Sequence, residues 1–326
     1  MIISRTPLRM SFVGGGSDLP GFYRRFGGAV LSTTINKYVY ITVNPKFDQR
    51  TRVSYSQTEE VESVDEIRHP LVRESMRLLG LRGGIEITSI ADVPTRGTGL
   101  GSSSSFTVGL LHALHAFVGQ YASAERLAGE ACEIELERCH DPIGKQDQYA
   151  AAFGGLNHIE FYPDGSVSVN PIVCQPGTLR RLQENLIVFY TGLSRSASEI
   201  LKRQQVAVAA DRRKQQMLQN MVQLARQLRD ALQTNRLDDF GQIIHANWEL
   251  KRRLTDHIST TQIGSWYRTA RRHGALGGKL MGAGRGGFLL FYAPRARHEA
   301  IARSLKTLRR VDFRFEPQGS KIIFVH

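Results

Sequence analysis

Apolar and polar positions along the chain fall into strand-like and helix-like stretches, and their order predicts the fold. Residues 1–13 (MIISRTPLRMSFV) carry β-rich patterning up to three glycines at 14–16, and VYITVNP (39–45) alternates as a strand stopped by Pro45. GIEITSI (84–90) predicts another strand. It leads into VPTRGTGLGSSSSFTVGLL (93–111), whose Gly/Ser run passes directly into apolar residues at helical spacing: Phe106, Leu110, Leu111, Leu114, Phe117 and Val118. A linker of that composition would continue as polar coil, so these serines stand at the mouth of a helix. SAERLAGEACEIELERC (123–139) predicts a second helix, HDPIGKQDQ a turn broken by Pro142 and Gly144, and GGLNHIEF with SVSVNPIV a hairpin around 163–165. ENLIVFYTG (184–192) reads as a buried strand and 196–272 as mostly helix. Two strand-like runs, GGFLLFY (286–292) and SKIIFVH (320–326), then bracket a helix near 295–309. The expectation is an α+β fold of two domains, a mixed one over 1–180 and a C-terminal one over 181–326, helical first and ending in a small antiparallel sheet.

A chain of 326 residues is long enough for a sizeable core and an interdomain cleft. Hydrophobic residues at 41% and charged residues at 22% argue for a folded protein rather than a disordered one. No apolar run reaches the roughly 18 residues that cross a bilayer, and MIISRTPLRMSF has no long apolar region of a signal peptide, so no membrane and a cytoplasmic location are expected. Cys132, Cys139 and Cys174 form no CxxC pair and no zinc-site spacing, which makes them inert thiols.

The formal charge of +13 suits either nucleic acid or an anionic small substrate. Residues 201–272 hold 14 Lys/Arg against 6 Asp/Glu, but spread along helical segments, as solvated faces would be. Aromatic and basic residues are not interleaved as on a single-strand-binding surface, so nucleic acid is not expected. A basic ligand sensor or nucleic-acid binder remains the non-enzyme alternative.

Gly97, Gly99 and Gly101 let backbone N–H groups approach a ligand, and the helix after them adds partial positive charge at its start. The serines offer caps or hydroxyl ligands. A phosphate loop and a plainly capped helix are both open on this stretch alone. It is not a Walker A loop, because GxxxxGK[ST] is absent. Two further glycine clusters, RTPLRMSFVGGGSDLPGFY (5–23) and GGKLMGAGRGGFLLFY (277–292), bear on the choice. The second contains GxGxxG at Gly282, Gly284 and Gly287, but a strand follows it where a dinucleotide site needs a helix.

Taken in order, the three clusters resemble the three motifs of the GHMP kinases, the family of galactokinase, homoserine kinase, mevalonate kinase and phosphomevalonate kinase. Pro94, Gly99, Leu100, Gly101, Ser102 and Ser103 are similar to its P-x-x-x-G-L-G-S-S loop, with one extra residue after the proline. Pro7 to Leu19 (PLRMSFVGGGSDL) lies without a gap on the first motif of the sugar kinases that phosphorylate an anomeric hydroxyl. A Glu-His pair in that motif is replaced here by Gly15-Gly16, which removes a sugar contact and leaves room for a larger sugar.

The resemblance implies a GHMP kinase fold with a helix-rich, ferredoxin-like C-terminal domain, and ATP and Mg2+ as cofactors. It implies transfer to the anomeric hydroxyl of a sugar phosphate, D-glycero-D-manno-heptose 7-phosphate being the expected substrate, with L-fucose or another sugar as the alternative. Residue by residue it implies Asp147 as the base or the group orienting the anomeric hydroxyl, and Arg9 to neutralise the γ-phosphate or hold Asp147 charged. Asp18, Gly15 and Gly16 would meet the sugar. Gly97, Gly99, Leu100, Gly101, Ser102, Ser103, Ser104, Gly282 and Gly284 would bind ATP. Ser103 and Glu135 would hold the metal, with Glu137 the competing carboxylate, since Glu133, Glu135 and Glu137 cannot all face one site. Lys145 and Arg195, cations beside the expected site loops, are the candidates for the substrate's own phosphate. A homodimer is allowed by the sequence but not specified by it.

Overall fold

A computed structural model describes residues 1–94, 97–193, 197–255 and 258–326. Strand β1 (Ile2–Val13) turns through the triple glycine into helix α1 (Pro20–Phe26), and the long strand β2 (Gly28–Pro45) returns antiparallel beside β1. Next come β3 (Thr51–Ser54), β4 (Thr58–Val61), α2 (Pro70–Leu78) and β5 (Ile85–Ala91), and then α3 (Ser102–Phe117) and α4 (Ala124–Cys132). A π-helical turn, Glu133–Arg138, extends α4 and precedes α5 (Gln146–Phe153) and the hairpin of β6 (Leu156–Phe161) and β7 (Val167–Pro171). Helix α6 (Pro176–Glu184) and β8 (Leu186–Tyr190) open the second half. There α7 (Ala197–Ala210), α8 (Arg212–Gln233), α9 (Phe240–Leu254) and α10 (Thr261–Arg272) form the helical layer. The chain closes with β9 (Gly277–Leu280), β10 (Phe288–Tyr292), α11 (His298–Ser304), β11 (Arg309–Val311) and β12 (Lys321–Val325).

Two sheets organise these elements. The larger runs β12-β1-β2-β5-β3-β4, with β6 and β7 continuing from the far stretch of β2, and only the β3–β5 pair is parallel. The smaller runs β11-β8-β10-β9, which with its intervening helices is the ferredoxin-like order expected for the C-terminal half. SKIIFVH departs from expectation. It forms a strand, but β12 pairs with β1 in the larger sheet instead of closing the smaller one. β1 offers an unpaired edge opposite β2, and a last strand that leaves the smaller sheet after β11 can satisfy those backbone groups.

Helix α3 packs on β1 and β2, while α8 lies against the same two strands and α9 against β1. Leu8, Met10 and Phe12 from β1 therefore share one buried core with Leu218, Ile244 and Trp248 from the helical layer, and the Phe12 and Phe240 rings meet edge-on at 5.4 Å. The halves are fused by this core rather than hung on a linker. The three cysteines are unpaired.

Candidate active site

Strand β1 carries Arg9 into the protein at 4% exposure, and its backbone N–H donates to Leu100 O at 3.0 Å. Its guanidinium grips Asp147 with two prongs, Nε to Oδ1 at 2.7 Å and Nη2 to Oδ2 at 2.6 Å, while Nη1 donates to Gly99 O at 2.6 Å. Asp147 stands in the first turn of α5 and keeps part of its carboxylate open, at 23% side-chain exposure. A planar fork with five donors is the group that can fix a carboxylate's orientation this way.

The serine-rich loop lies against this pair. Gly101 caps α3 in the left-handed conformation (φ 75°), and a Cβ there would stand 3.2 Å from both Arg9 Cγ and Asp147 Oδ2. The first N–H groups of a helix have no carbonyl partner within it, and here they come from Ser102, Ser103 and Ser104, all three at the wall of a cavity of about 210 Å³. Gly97 and Gly99 line the same wall, as do Gly282 and Gly284 of the β9–β10 turn. A Cβ on Gly282 would fall 2.4 Å from Gly99 Cα, so the third glycine cluster packs directly on the second. Leu100 differs from its neighbours: its side chain is buried in the core and its carbonyl anchors Arg9.

Glu135 is fully buried, and the π-helical turn that carries it leaves Glu137 exposed and Glu133 paired with Arg138. Its carboxylate accepts from Ser103 Oγ at 3.2 Å, Ser104 Oγ at 2.8 Å, Thr107 Oγ1 at 2.9 Å and Gln148 Nε2. Burial still dominates over these donors and pushes its pKa up to about 7. A divalent cation beside Ser103 would reverse that cost, and hydroxyl plus carboxylate plus phosphate oxygens is a donor set Mg2+ accepts. Among the described residues no group of three His, Cys, Asp or Glu could hold an ion unaided, so phosphate oxygens would have to complete the shell.

Asp18, also buried, lies near Asp147 and lines the same cavity. It accepts from Gly16 N at 2.8 Å, and burial, then the nearby Asp147, raises its pKa. Gly15 and Gly16 line the cavity beside it. Lys145 does not: its ammonium donates to Gly165 O at 2.7 Å and lies over the Tyr23 ring, so the structure removes it from the site. Arg195 lies outside the described residues.

Sequence reasoning missed two lysines. Lys251 of α9 donates to Gly15 O at 3.0 Å and Gln204 Oε1 at 2.9 Å, and Lys279 of β9 donates to Ser11 O at 2.6 Å. Both are buried at the cavity, and burial lowers their pKa values to about 8 and about 7. Lys251 had looked like one of three solvated cations in KRR. The signal against that was its spacing, seven residues after Ile244 and three after Trp248, on the buried stripe of α9.

A second cavity, about 650 Å³, shares Ser102 and Ser103 with the first. Tyr55, His69 and Phe106 line it, with ring centroids 4.7 and 5.0 Å apart in succession. It offers flat apolar surface next to the loop, which suits a heteroaromatic base.

Comparisons with known proteins accord with this geometry. The profile described as "GHMP kinases N terminal domain" matches residues 68–155, and "GHMP kinases C terminal" matches 228–309. The chain is 28% identical to the D-glycero-alpha-D-manno-heptose 7-phosphate kinase of Campylobacter jejuni, over 98% of each chain. It is 25% identical to the bifunctional fucokinase/GDP-fucose pyrophosphorylase of Arabidopsis thaliana, over 89% of this chain and 30% of that one. A solved D-glycero-D-manno-heptose 1-phosphate kinase from Bacteriodes thetaiotaomicron superposes over 100% of both chains, at a TM-score of 0.81 and 25% identity.

Proposed function

The chain belongs to the GHMP kinases, and on that premise we propose that it transfers the γ-phosphate of ATP to the anomeric hydroxyl of D-glycero-D-manno-heptose 7-phosphate. An ATP-dependent sugar kinase follows from the family; the substrate is the finer step. The observation that carries it is the composition of one cavity: an amide-rich loop, the Arg9–Asp147 pair next to it, and the buried cations Lys251 and Lys279 in the same lining. Full-length similarity to the Campylobacter jejuni enzyme supports the choice of sugar.

Phosphoryl transfer asks a protein for positioning, charge neutralisation and an acceptor for the hydroxyl proton. Asp147 would take that proton as the anomeric oxygen bonds to the γ-phosphorus and the bond to the β,γ-bridging oxygen breaks, leaving ADP. Arg9, held on both Asp147 oxygens and on Gly99 O, keeps the carboxylate aimed at the sugar. Amides of Gly97 to Ser104 would bind phosphate oxygens, and the Tyr55–His69–Phe106 cavity would take the base. Ser103 and Glu135 would hold Mg2+, which when bound would screen the phosphate charge.

An acceptor panel tests the reading. ADP release should be stimulated by the heptose 7-phosphate at a kcat/KM at least about tenfold above that for L-fucose or galactose. Turnover of L-fucose in preference to the heptose phosphate would overturn the substrate assignment and leave the kinase class intact.

A further inference from the structure

The cavity is also lined by two polar side chains that the transfer chemistry does not use, Asn247 and Lys251. There the two helices α7 and α9 bring Gln204, Asn247 and Lys251 against the Gly14–Gly16 turn. The contact is close: a Cβ on Gly16 would lie 2.4 Å from Gln204 Nε2 and 3.1 Å from Lys251 Nζ. Gly16 also has φ 106°, a conformation side chains rarely adopt. The room left by Gly15-Gly16 is therefore occupied, by a lysine and an amide from the other half of the chain.

These side chains hold more donors than the protein accepts. Gln204 spends Oε1 on Lys251, and its Nε2 is buried with no partner among the described residues. Asn247 spends Oδ1 on Gly14 N, and its Nδ2 is likewise buried and unpartnered. Lys251 uses two of its three ammonium hydrogens, on Gly15 O and Gln204 Oε1. Asn247 and Lys251 line the cavity, whereas Gln204 stands behind Lys251 with its Nε2 against Gly16. A buried donor without an acceptor costs about 1–3 kcal/mol, and one polyvalent anion in the cavity would satisfy both Asn247 and Lys251.

Lys251 and the loop have different immediate neighbours. Gly101 of the loop abuts Arg9 and Asp147, whereas Lys251 abuts Gly15, and Asp18 feels both Asp147 and Lys251. A sugar with its anomeric hydroxyl at Asp147 and its ring at Asp18 extends its far end toward Lys251.

Resting on the sugar-phosphate reading above, we propose that Lys251 and Asn247 form the subsite for the substrate's own phosphate, with Gln204 positioning Lys251, selecting phosphorylated over plain sugars. Charge-assisted hydrogen bonds to a phosphate supply the discrimination.

Gln204→Glu is the decisive variant. It keeps the acceptor for Lys251, so a purely structural pair would be preserved or strengthened, but it sets a negative charge against the ammonium that would meet the phosphate. Steady-state kinetics with ATP, heptose 7-phosphate and unphosphorylated heptose should show the preference for the phosphorylated sugar, as a ratio of kcat/KM values, falling by about 30- to 100-fold. Most of that fall should lie in the KM for the sugar phosphate, with the KM for ATP moving less than about threefold. Lys251→Met should shift the same ratio in the same direction, with a thermal melt confirming the fold. Equal losses on both sugars, or no loss in Gln204→Glu, would overturn the subsite. Failure of the unaltered protein to use heptose 7-phosphate at all would instead overturn the substrate reading on which it rests.

Discussion

Asp147 presents both carboxylate oxygens to one guanidinium, yet remains partly open to the cavity, and this combination of restraint and access is what a proton acceptor needs. Asp147→Asn keeps the shape and removes the basicity. It should lower kcat by about 10²- to 10⁴-fold, while ATP binding measured by calorimetry stays within about threefold; retained turnover would exclude the base role. Much at this scale was legible, because Arg9, Asp18 and Asp147 stand beside glycine-rich turns whose motifs are dense. Glu135 was legible only as one of three alternating glutamates, since choosing among them requires knowing which is buried. Lys251 was hidden in a basic run, and Lys145 was misread because proximity in sequence to Asp147 does not fix where a flexible side chain points.

At the scale of elements, strand–loop–helix order around 84–117 was plain from periodicity, and the site loops grip one another through glycines that only their partners explain. Gly144, just before α5, is such a case: a Cβ there would sit 1.9 Å from Asp18 Oδ2 and 2.7 Å from Asp18 O. Backbone cannot yield as a side-chain tip can, so Gly144→Ala should displace Asp18 and the start of α5 together. The expected result is a loss of about 1–3 kcal/mol in urea unfolding with a raised KM for the sugar. Unchanged stability and kinetics would show that the turn relaxes. The π-helical turn over Glu133–Arg138 was read as ordinary helix, because one wider turn does not alter hydrophobic spacing enough to be seen.

Across the whole molecule, burial of polar groups sets the response to pH as well as the chemistry. His158 on β6 is fully buried, and neither ring nitrogen has a hydrogen-bond partner among the described residues, Glu160 standing 4.0 Å from Nδ1. Burial pushes its pKa below the ordinary value; Glu160 opposes, and Arg229 and Arg226 add to the fall. The unfolded chain binds a proton there below about pH 6.5 where the native one does not, so this residue's contribution to stability is lost as pH falls through that value. Relative to the unaltered protein, His158→Leu should gain several degrees in Tm at pH 5 and little at pH 8, as scanning calorimetry would read; an equal shift at both would refute the sign. The fold class, most elements and the glycine motifs were determined by the sequence alone, because periodicity and backbone conformation act over a few residues. Only the tertiary structure decided that β12 joins the first sheet, that Glu135 is the buried carboxylate, and that α7 and α9 deliver Gln204, Asn247 and Lys251 to Gly16. Those outcomes depend on which surfaces exclude water together, and residues more than two hundred positions apart share that burial without leaving any local pattern.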